Sequence, residues 1–101
     1  MNLRAIFMAT ILAGVACGPA LAQGHYTGME LAKYAKVSIV QARVIALKTV
    51  PGKIVAEELE KEKSGLRYSF DIKVGTKTRE VGVDAKTGRV IENIVEGKNP
   101  D

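Results

Sequence analysis

Few residues of this 101-residue chain have side chains suited to catalysis. There is one histidine, His25, and one cysteine, Cys17. Acid–base or nucleophilic catalysis needs groups of matched reactivity held together, and this spacing supports no Ser/His/Asp arrangement. No glycine-rich phosphate loop precedes a helix, because Gly75, Gly82 and Gly88 lie in or between predicted strands. The sequence therefore predicts a protein that is not an enzyme and uses no cofactor.

The densest acidic cluster is the other candidate for chemistry. It consists of Glu57, Glu58, Glu60 and Glu62. Paired carboxylates can hydrolyse glycosides, but the sequence frames no cleft around these four. Charge pairs across neighbouring strands are an ordinary means of stabilising a sheet. We therefore interpret the cluster as a solvated strand face opposite Arg67 and Lys73.

His25 suggests one metal site, which depends on a new amino terminus. If a leader ends at Ala22, the chain begins Gln23-Gly24-His25, and its amine, two amide nitrogens and imidazole can surround Cu(II) or Ni(II) in a square plane. The alternatives are a tail histidine without a role and a cyclised Gln23, which blocks the amine. The hypothesis predicts a visible d–d band when Cu(II) is added to a chain whose Gln23 is open. No other metal site is predicted.

Residues 1–22 have the pattern of a cleaved secretory signal. Arg4 provides a positive start, and residues 5–16 are uncharged and mainly apolar. Ala20-Leu21-Ala22 is the small-x-small pattern that a signal peptidase accepts. We expect cleavage after Ala22, with Ala20 and Ala22 as the recognition residues. The mature protein is then periplasmic or secreted from a bacterium and keeps no stable membrane span.

Two other interpretations of the leader stay open. An uncleaved anchor needs about twenty apolar residues, and Gly14, Gly18 and Pro19 interrupt this run. Lipidation at Cys17 would make a lipoprotein, but bacterial lipid-attachment sites usually have Leu three residues earlier, where this chain has Gly14. With cleavage, Cys17 leaves with the leader, and the mature chain has neither a disulfide nor a thiol.

The charge pattern argues against a nucleic-acid partner. Fifteen basic and eleven acidic residues give a formal net charge of +4, and removing Arg4 with the leader leaves 14 − 11 = +3. The two signs are interleaved, as in residues 57–63. Nucleic-acid binders concentrate positive charge on one face and add aromatic side chains for stacking. No basic block accompanies the aromatic residues beyond the leader: Tyr26, Tyr34, Tyr68 and Phe70.

Two capping boxes, at residues 27–30 and 38–41, predict two short helices. The first would run to about residue 36 and the second to about residue 50, where Pro51-Gly52 ends it. The second helix is apolar around most of its circumference, so we expect it to pack on a broad surface such as a sheet. Arg43 lies inside the apolar arc, where a snorkelling stem or a pair with a strand carboxylate is expected and contact with a ligand is the alternative.

Beyond Pro51 the apolar period changes from helical to two. Residues 66–74 alternate strictly, so five apolar side chains share one face: Leu66, Tyr68, Phe70, Ile72 and Val74. Residues 53–62 are expected to be the partner strand, with a helix as the alternative because Glu and Lys favour helices. Residues 78–83 and 89–95 follow as strands around a tight turn, in which Gly88 takes a positive φ.

This order of elements predicts an α+β fold: two short N-terminal helices packed on an antiparallel sheet of three to four strands. The expected organisation is a leader at 1–22, a tail and short helix at 23–34, one domain at 35–96 and a C-terminal tail at 97–101.

Residues 42–53, Ala-Arg-Val-Ile-Ala-Leu-Lys-Thr-Val-Pro-Gly-Lys, resemble the opening of a PepSY domain. Residues 54–62, the alternating strand and residues 83–90, Val-Asp-Ala-Lys-Thr-Gly-Arg-Val, continue the match in the same order. The resemblance covers roughly residues 35–95. It assigns structural roles to Pro51, Gly52, Asp84, Thr87 and Gly88. Glu57 departs from the pattern, since a small or apolar residue is expected there, and leaves the register of the first strand open.

Resemblance to this family implies helix cover on an antiparallel sheet, an exported or envelope-facing location and no catalytic residues. Such domains occur in the propeptides of secreted metallopeptidases, in envelope proteins and as small free-standing proteins. The function implied is a non-catalytic binding module that engages or restrains a peptidase or another envelope protein. An open sheet edge would accept an extended segment of the partner. The alternative is a structural or sensory periplasmic domain without a peptidase partner.

Overall fold

The computed structural model describes residues 24–96 as one 3₁₀ helix, one α-helix and four strands. The elements are the 3₁₀ helix Met29–Tyr34, α1 Ile39–Thr49, β1 Lys53–Glu62, β2 Gly65–Val74, β3 Lys77–Asp84 and β4 Val90–Glu96. The strands form one antiparallel sheet in the order β1-β2-β3-β4. The predicted α+β class and the four-stranded meander are confirmed. The expectations for the leader, including Cys17, Ala20 and Ala22, and for the tail at 97–101 lie outside the described residues.

Helix α1 begins as the sequence predicts. The Ser38 hydroxyl accepts a hydrogen bond from the Gln41 amide at 3.1 Å, and the Gln41 side chain accepts one from the Ser38 amide at 2.9 Å. This capping box satisfies two amides that the first turn leaves without helical partners. α1 then packs one side on β2 and β3. Val44 on its outer side is 52% exposed, so the helix is less fully covered than its apolar circumference suggests.

The prediction of a second N-terminal α-helix is wrong. Residues 29–34 form a 3₁₀ helix instead, and its N-cap is Gly28, in a left-handed conformation with φ 86° and without a side-chain cap. The backbone of Thr27 is hydrogen-bonded to the sheet, because its carbonyl accepts from the Leu59 amide at 2.8 Å. This pairing competes with the capping box expected at Thr27 and Glu30, and it directs the chain along β1 before the 3₁₀ turns begin.

The core lies between α1 and the sheet. The alternation predicted for β2 is confirmed, since Tyr68, Phe70 and Ile72 are all fully buried. Val81 and Val83 of β3 lie beside them on the same face. The Tyr68 hydroxyl donates to the Val37 carbonyl at 2.6 Å, and burial raises the pKa of Tyr68 to about 12. Within residues 24–96, no helix combines the length and the apolar character needed to cross a membrane.

β1 is a strand rather than the alternative helix, and its register is now defined. Ile54 lies opposite Ile72 and Ala56 lies opposite Asp71, so the pairing shifts by one residue at Val55. A bulge of this kind resets which side chains face the core. After the shift, Glu57 and Leu59 point to the helix-covered side. At the position where the family pattern has a small or apolar residue, Glu57 therefore places a carboxylate beneath α1.

Candidate binding surface

The side of the sheet that α1 does not cover, called here the open face, is lined with carboxylates. Strand register places them there, since Glu60 lies opposite Arg67, and Asp71 lies opposite Glu80. On β4, Glu92 lies opposite Gly82 and adds a further carboxylate to the same face. The acidic side chains of the open face are Glu58, Glu60, Glu62, Asp71, Glu80, Glu92 and Glu96.

Arg67 lies at the centre of the open face and is only 7% exposed. Its guanidinium donates to Glu92 at 2.6 Å and to the Ser69 hydroxyl at 3.1 Å. Three more carboxylates lie within 4 Å of it, at 3.5 Å for Glu60, 3.6 Å for Glu80 and 3.8 Å for Glu62. One cation thus contacts side chains from β1, β3 and β4. The predicted placement of the acidic cluster opposite Arg67 is confirmed for Glu60 and Glu62. It is wrong for Glu57, which lies on the helix-covered side, and for Lys73, which lies opposite Lys53.

Gly82 makes room for this arrangement. A Cβ at Gly82 would lie 2.3 Å from the Arg67 Nη2 atom, so the guanidinium rests on the bare backbone of β3. A glycine inside a strand often marks a close approach of this kind. A glycine within a predicted strand next to Val81 and Val83 was therefore the sequence signal for the Arg67 network.

Negative charge is in excess at one end of the open face. Asp71, Glu80 and Glu96 bring carboxylate oxygens within 4.8 Å of one another, beside a shallow pocket of about 290 Å³. Burial, followed by the charges of Glu92 and Asp71, raises the pKa of Glu80, and burial with the charge of Asp71 raises the pKa of Glu96. Such oxygens suit hard divalent cations, but nothing else among the described residues points to an ion. The surface itself favours cationic groups.

The backbone direction of β4 follows from one hydrogen bond. The Asp84 amide donates to the Arg89 carbonyl at 2.8 Å, so Asp84 faces β4. The backbone N–H and C=O groups of successive residues point to opposite sides of a strand. Those of Gly82, Glu80 and Thr78 therefore also point toward β4. The register partners of these residues on β4 direct their backbone groups toward β3: Glu92, Ile94 and Glu96. Asn93 and Val95, which lie between these partners, therefore direct their amides and carbonyls away from the sheet.

The side of β4 away from β3, called here the β4 edge, also carries exposed apolar side chains. They are 38–47% exposed: Val90, Ile91, Ile94 and Val95. Ile94 lies on the open face, and Val95 lies on the helix side, opposite Arg79. α1 packs on β2 and β3 and leaves these side chains accessible. Among residues 24–96, backbone groups without a strand partner and exposed apolar side chains thus occur together on β4.

The outer side of β1, called here the β1 edge, is covered at its middle. The Leu59 amide donates outward to the Thr27 carbonyl, and Thr27 forms a parallel bridge with Glu58. Gly28 follows in close contact, because a Cβ there would lie 1.9 Å from the Leu59 carbonyl oxygen. The chain's own N-terminal segment therefore covers the middle of the β1 edge.

Arg43 and Glu57 form an ion pair on the helix-covered side. Arg43 donates to the two carboxylate oxygens of Glu57 at 2.9 and 2.7 Å, a two-pronged geometry in which both side chains are about one-fifth exposed. The prediction that Arg43 pairs with a strand carboxylate is confirmed. The hydrogen bond with Glu57 raises the pKa of Arg43, which stays charged. The pair joins α1 to β1 and offers no free nucleophile or base.

The residues assigned structural roles by the family resemblance lie in two turns. Pro51 and Gly52 join α1 to β1, and a Cβ at Gly52 would lie 2.5 Å from the Lys73 carbonyl oxygen. Asp84 begins the turn into β4, where its carboxylate accepts from the Lys86 and Thr87 amides at 2.7 and 3.0 Å. These two hydrogen bonds lower the pKa of Asp84.

The same turn contains the other two residues of that pattern. The Thr87 hydroxyl accepts from the Arg89 amide at 3.2 Å, and Gly88 has the expected positive φ, 82°. His25 is exposed near the start of the described residues. Gln23, which would supply the terminal amine, lies outside them, so the amino-terminal copper or nickel site stays a prediction.

Comparison with known proteins agrees with this architecture. Residues 36–93 match the family model described as PepSY, "Peptidase propeptide and YPEB domain", which spans more than half of the chain. No curated protein and no solved structure matches the chain. The matched range contains α1, β1, β2 and β3 and ends within β4.

Proposed function

The chain belongs to the PepSY family, and we propose that it is an exported, non-catalytic binding module that engages and restrains a peptidase or another envelope protein. PepSY domains are generally propeptide-like or inhibitor-like modules without catalytic residues. The residue inventory is consistent with this role, because the chain contains one histidine, and its single cysteine lies in the leader. Export rests on the signal pattern of residues 1–22, with cleavage proposed after Ala22.

The observation that carries the proposal is the difference between the two sheet edges. The β1 edge is covered at its middle by Thr27 and Gly28, whereas nothing in residues 24–96 covers the β4 edge, which has outward amides at Asn93 and Val95 and exposed apolar side chains. An unpaired edge accepts an extended segment through main-chain hydrogen bonds. β4 carries glutamates and a register shift, which oppose unwanted pairing. The outward amides and exposed apolar side chains that remain accessible on it support a binding role.

Retention from an envelope extract followed by a protease assay tests the proposal. The chain from Gln23 to Asp101 contains every described element and is immobilised without its leader. We expect it to retain a peptidase that mass spectrometry identifies, and the activity of that peptidase to fall saturably as free chain is added. Val44→Ser, on the exposed side of α1, is the matched control and should behave like the unchanged chain.

Two results would contradict the proposal. If no peptidase or envelope protein is retained and proteolysis is unchanged, a structural or sensory periplasmic role replaces it. If the intact chain beginning at Met1 accumulates in the cytosol, export is wrong, and partners in the envelope are excluded with it.

A further inference from the structure

We propose that the segment received by the β4 edge is an extended strand that alternates cationic and apolar side chains. This inference rests on the proposed function and names the chemistry of the bound segment. Three features carry it: the direction of the β4 backbone groups, the different character of the two faces beside the edge, and the charge that disfavours a second copy of the chain.

Backbone geometry sets where the segment lies. Asn93 and Val95 present donors and acceptors away from β3, at a spacing of two residues. A strand placed beside β4 pairs with both residues and continues the sheet at about 4.8 Å. Its side chains then alternate between the open face and the helix side, so each face reads every second residue of the segment.

The open face favours cationic side chains on the bound segment. Side chains directly across from β4 on this face lie about 5 Å from Glu92, Ile94 and Glu96. Glu80 on β3 and Asp71 on β2 add negative charge beside Glu96. Arg67 lies 2.6 Å from Glu92 but 3.6 Å from Glu80, so it compensates the charge of Glu80 less fully. A Lys or Arg side chain covers the exposed Ile94 with its methylene groups and places its charge beside the carboxylates.

The helix side reads apolar residues. Val90 and Val95 lie on this side of β4 and are 38% and 45% exposed, because α1 packs further along the sheet. Asn93 lies between them, and its Oδ1 atom accepts a hydrogen bond from the Arg79 Nε atom at 3.0 Å. Valine, isoleucine or an aromatic side chain on the added strand covers them and extends the core by one strand. Apolar burial supplies attraction there, and charge on the opposite face selects the segment and its register.

A second copy of this chain is a poorer occupant of the same edge. Pairing β4 with β4 about a two-fold axis places Glu92 and Glu96 of each copy on one continuous face. Like charges across neighbouring strands destabilise a sheet, and this pairing brings no cation to the carboxylates. A partner that brings lysine or arginine removes the repulsion that a second copy would create.

The test uses synthetic peptides and the chain from Gln23 to Asp101 labelled with ¹⁵N. The probe is the capped peptide Thr-Lys-Val-Lys-Val-Lys-Val-Lys-Thr. One control peptide replaces each lysine by glutamate, and the other keeps the composition but groups the lysines together. We expect amide shifts confined to β4 and the open face, binding about tenfold weaker for either control peptide, and a similar loss between about 20 mM and 500 mM salt.

A proline at an outward amide separates docking from folding. Asn93→Pro removes a backbone donor that β3 does not use, and it also loses the hydrogen bond between Arg79 and the Asn93 side chain, as Asn93→Ala does. The domain should therefore keep the melting temperature of Asn93→Ala and bind the probe about tenfold more weakly. Asn93→Ala, which keeps the amide, is the matched control and should bind as the unchanged chain does. Glu96→Gln should weaken binding of the probe peptide, because it removes one charge from the open face and leaves the uncharged contacts of the helix side intact.

Several outcomes would overturn the inference: shifts at the β1 edge or on α1, equal binding of the glutamate peptide, or a concentration-dependent dimer that Asn93→Pro abolishes. Its failure is distinguishable from failure of the proposed function. If a peptidase is retained and inhibited regardless of Asn93→Pro and of salt, the docking chemistry is wrong and the function stands. If the probe binds at β4 while no peptidase or envelope protein is retained, the function is wrong and the docking chemistry stands.

Discussion

The two edges of this sheet receive opposite treatment. At the β1 edge, Thr27 accepts the outward Leu59 amide, and Gly28 packs against the same residue. At the β4 edge, the outward amides of Asn93 and Val95 have apolar side chains around them and face away from the sheet. α1 and the N-terminal segment contact β1, whereas β4 is held by β3 and by Arg67. The covered edge and the accessible edge thus lie at opposite sides of the sheet.

This difference shows that a small domain can protect its two edges by different means. An edge strand usually carries devices against unwanted pairing, such as charges or bulges. β4 does contain a register shift, between Gly82 and Val83 on its neighbour, and glutamates on its open face. Those features oppose pairing with an acidic strand or a second copy, and they leave pairing with a cationic strand favourable. Selectivity and protection thus come from the same side chains.

Closing the β1 edge depends most on Gly28, and Gly28→Ala should have the largest effect. The residue has φ 86°, and its added Cβ would lie 1.9 Å from the Leu59 carbonyl oxygen. Left-handed strain and the clash together should lower the free energy of unfolding by about 3 kcal/mol, measured by urea denaturation. The Leu59 amide should also exchange hydrogen faster.

Gly75→Ala is the control for that substitution, because Gly75 has φ 64° with nothing within 4 Å of an added Cβ. It keeps the strain and omits the clash, so the cost should be about 1 kcal/mol. Equal costs at the two positions would show that contact with Leu59 does not hold the segment on β1.

The attachment of β4 is tested by Arg67→Met, which removes the cation that joins Glu92 to the rest of the open face. At pH 7 the carboxylates then repel one another, and we expect a loss of about 2 kcal/mol in the free energy of unfolding. The loss should shrink at about pH 5. Repulsion raises carboxyl pKa values in the folded state, as burial and neighbouring carboxylates already do for Glu80 and Glu96.

The sign follows from linkage. A carboxyl whose pKa is higher in the folded state adds stability below its unfolded-state pKa and loses that contribution as pH rises through the folded-state value. The hydrogen bond between Glu58 and Glu60 raises the pKa of Glu58 and lowers that of Glu60, so this pair contributes no net direction. The raised carboxyl pKa values of the variant therefore bring its stability closer to that of the unchanged chain on acidification from pH 7 to 5. An unchanged difference between pH 7 and 5 would show that Arg67 acts through packing alone.

A smaller effect is expected where α1 meets β1. Glu57→Gln removes the charge from the two-pronged pair with Arg43, and the free energy of unfolding should fall by about 1 kcal/mol. A double-mutant cycle with Arg43→Met measures the coupling directly. Glu62→Gln is the matched control, since Glu62 lies 3.8 Å from Arg67 and is more exposed; it should cost less. Equal losses would indicate a general effect of net charge.

Much of the fold was predictable because its signals are local. Strict alternation over residues 66–74 identified β2, and the Ser38–Gln41 capping box identified the start of α1. The expected N-terminal α-helix failed where a local signal met a distant partner, because Thr27 pairs with Leu59 rather than capping a helix. The open face was predictable only in part: Glu60 and Glu62 were placed opposite Arg67, whereas Glu92, 25 residues away, was not.

The sequence by itself determined the class of fold, the order of the strands, the capping of α1 and the family, since periodicity, caps and turn residues act over a few neighbouring positions. Only the tertiary structure decided which sheet edge the N-terminal segment covers and where Glu57 points after the bulge at Val55. It alone also shows that Arg67 contacts carboxylates on each of the three other strands. Those features depend on strand register, and register is a long-range property: shifting one pairing by a single residue moves a side chain to the opposite face.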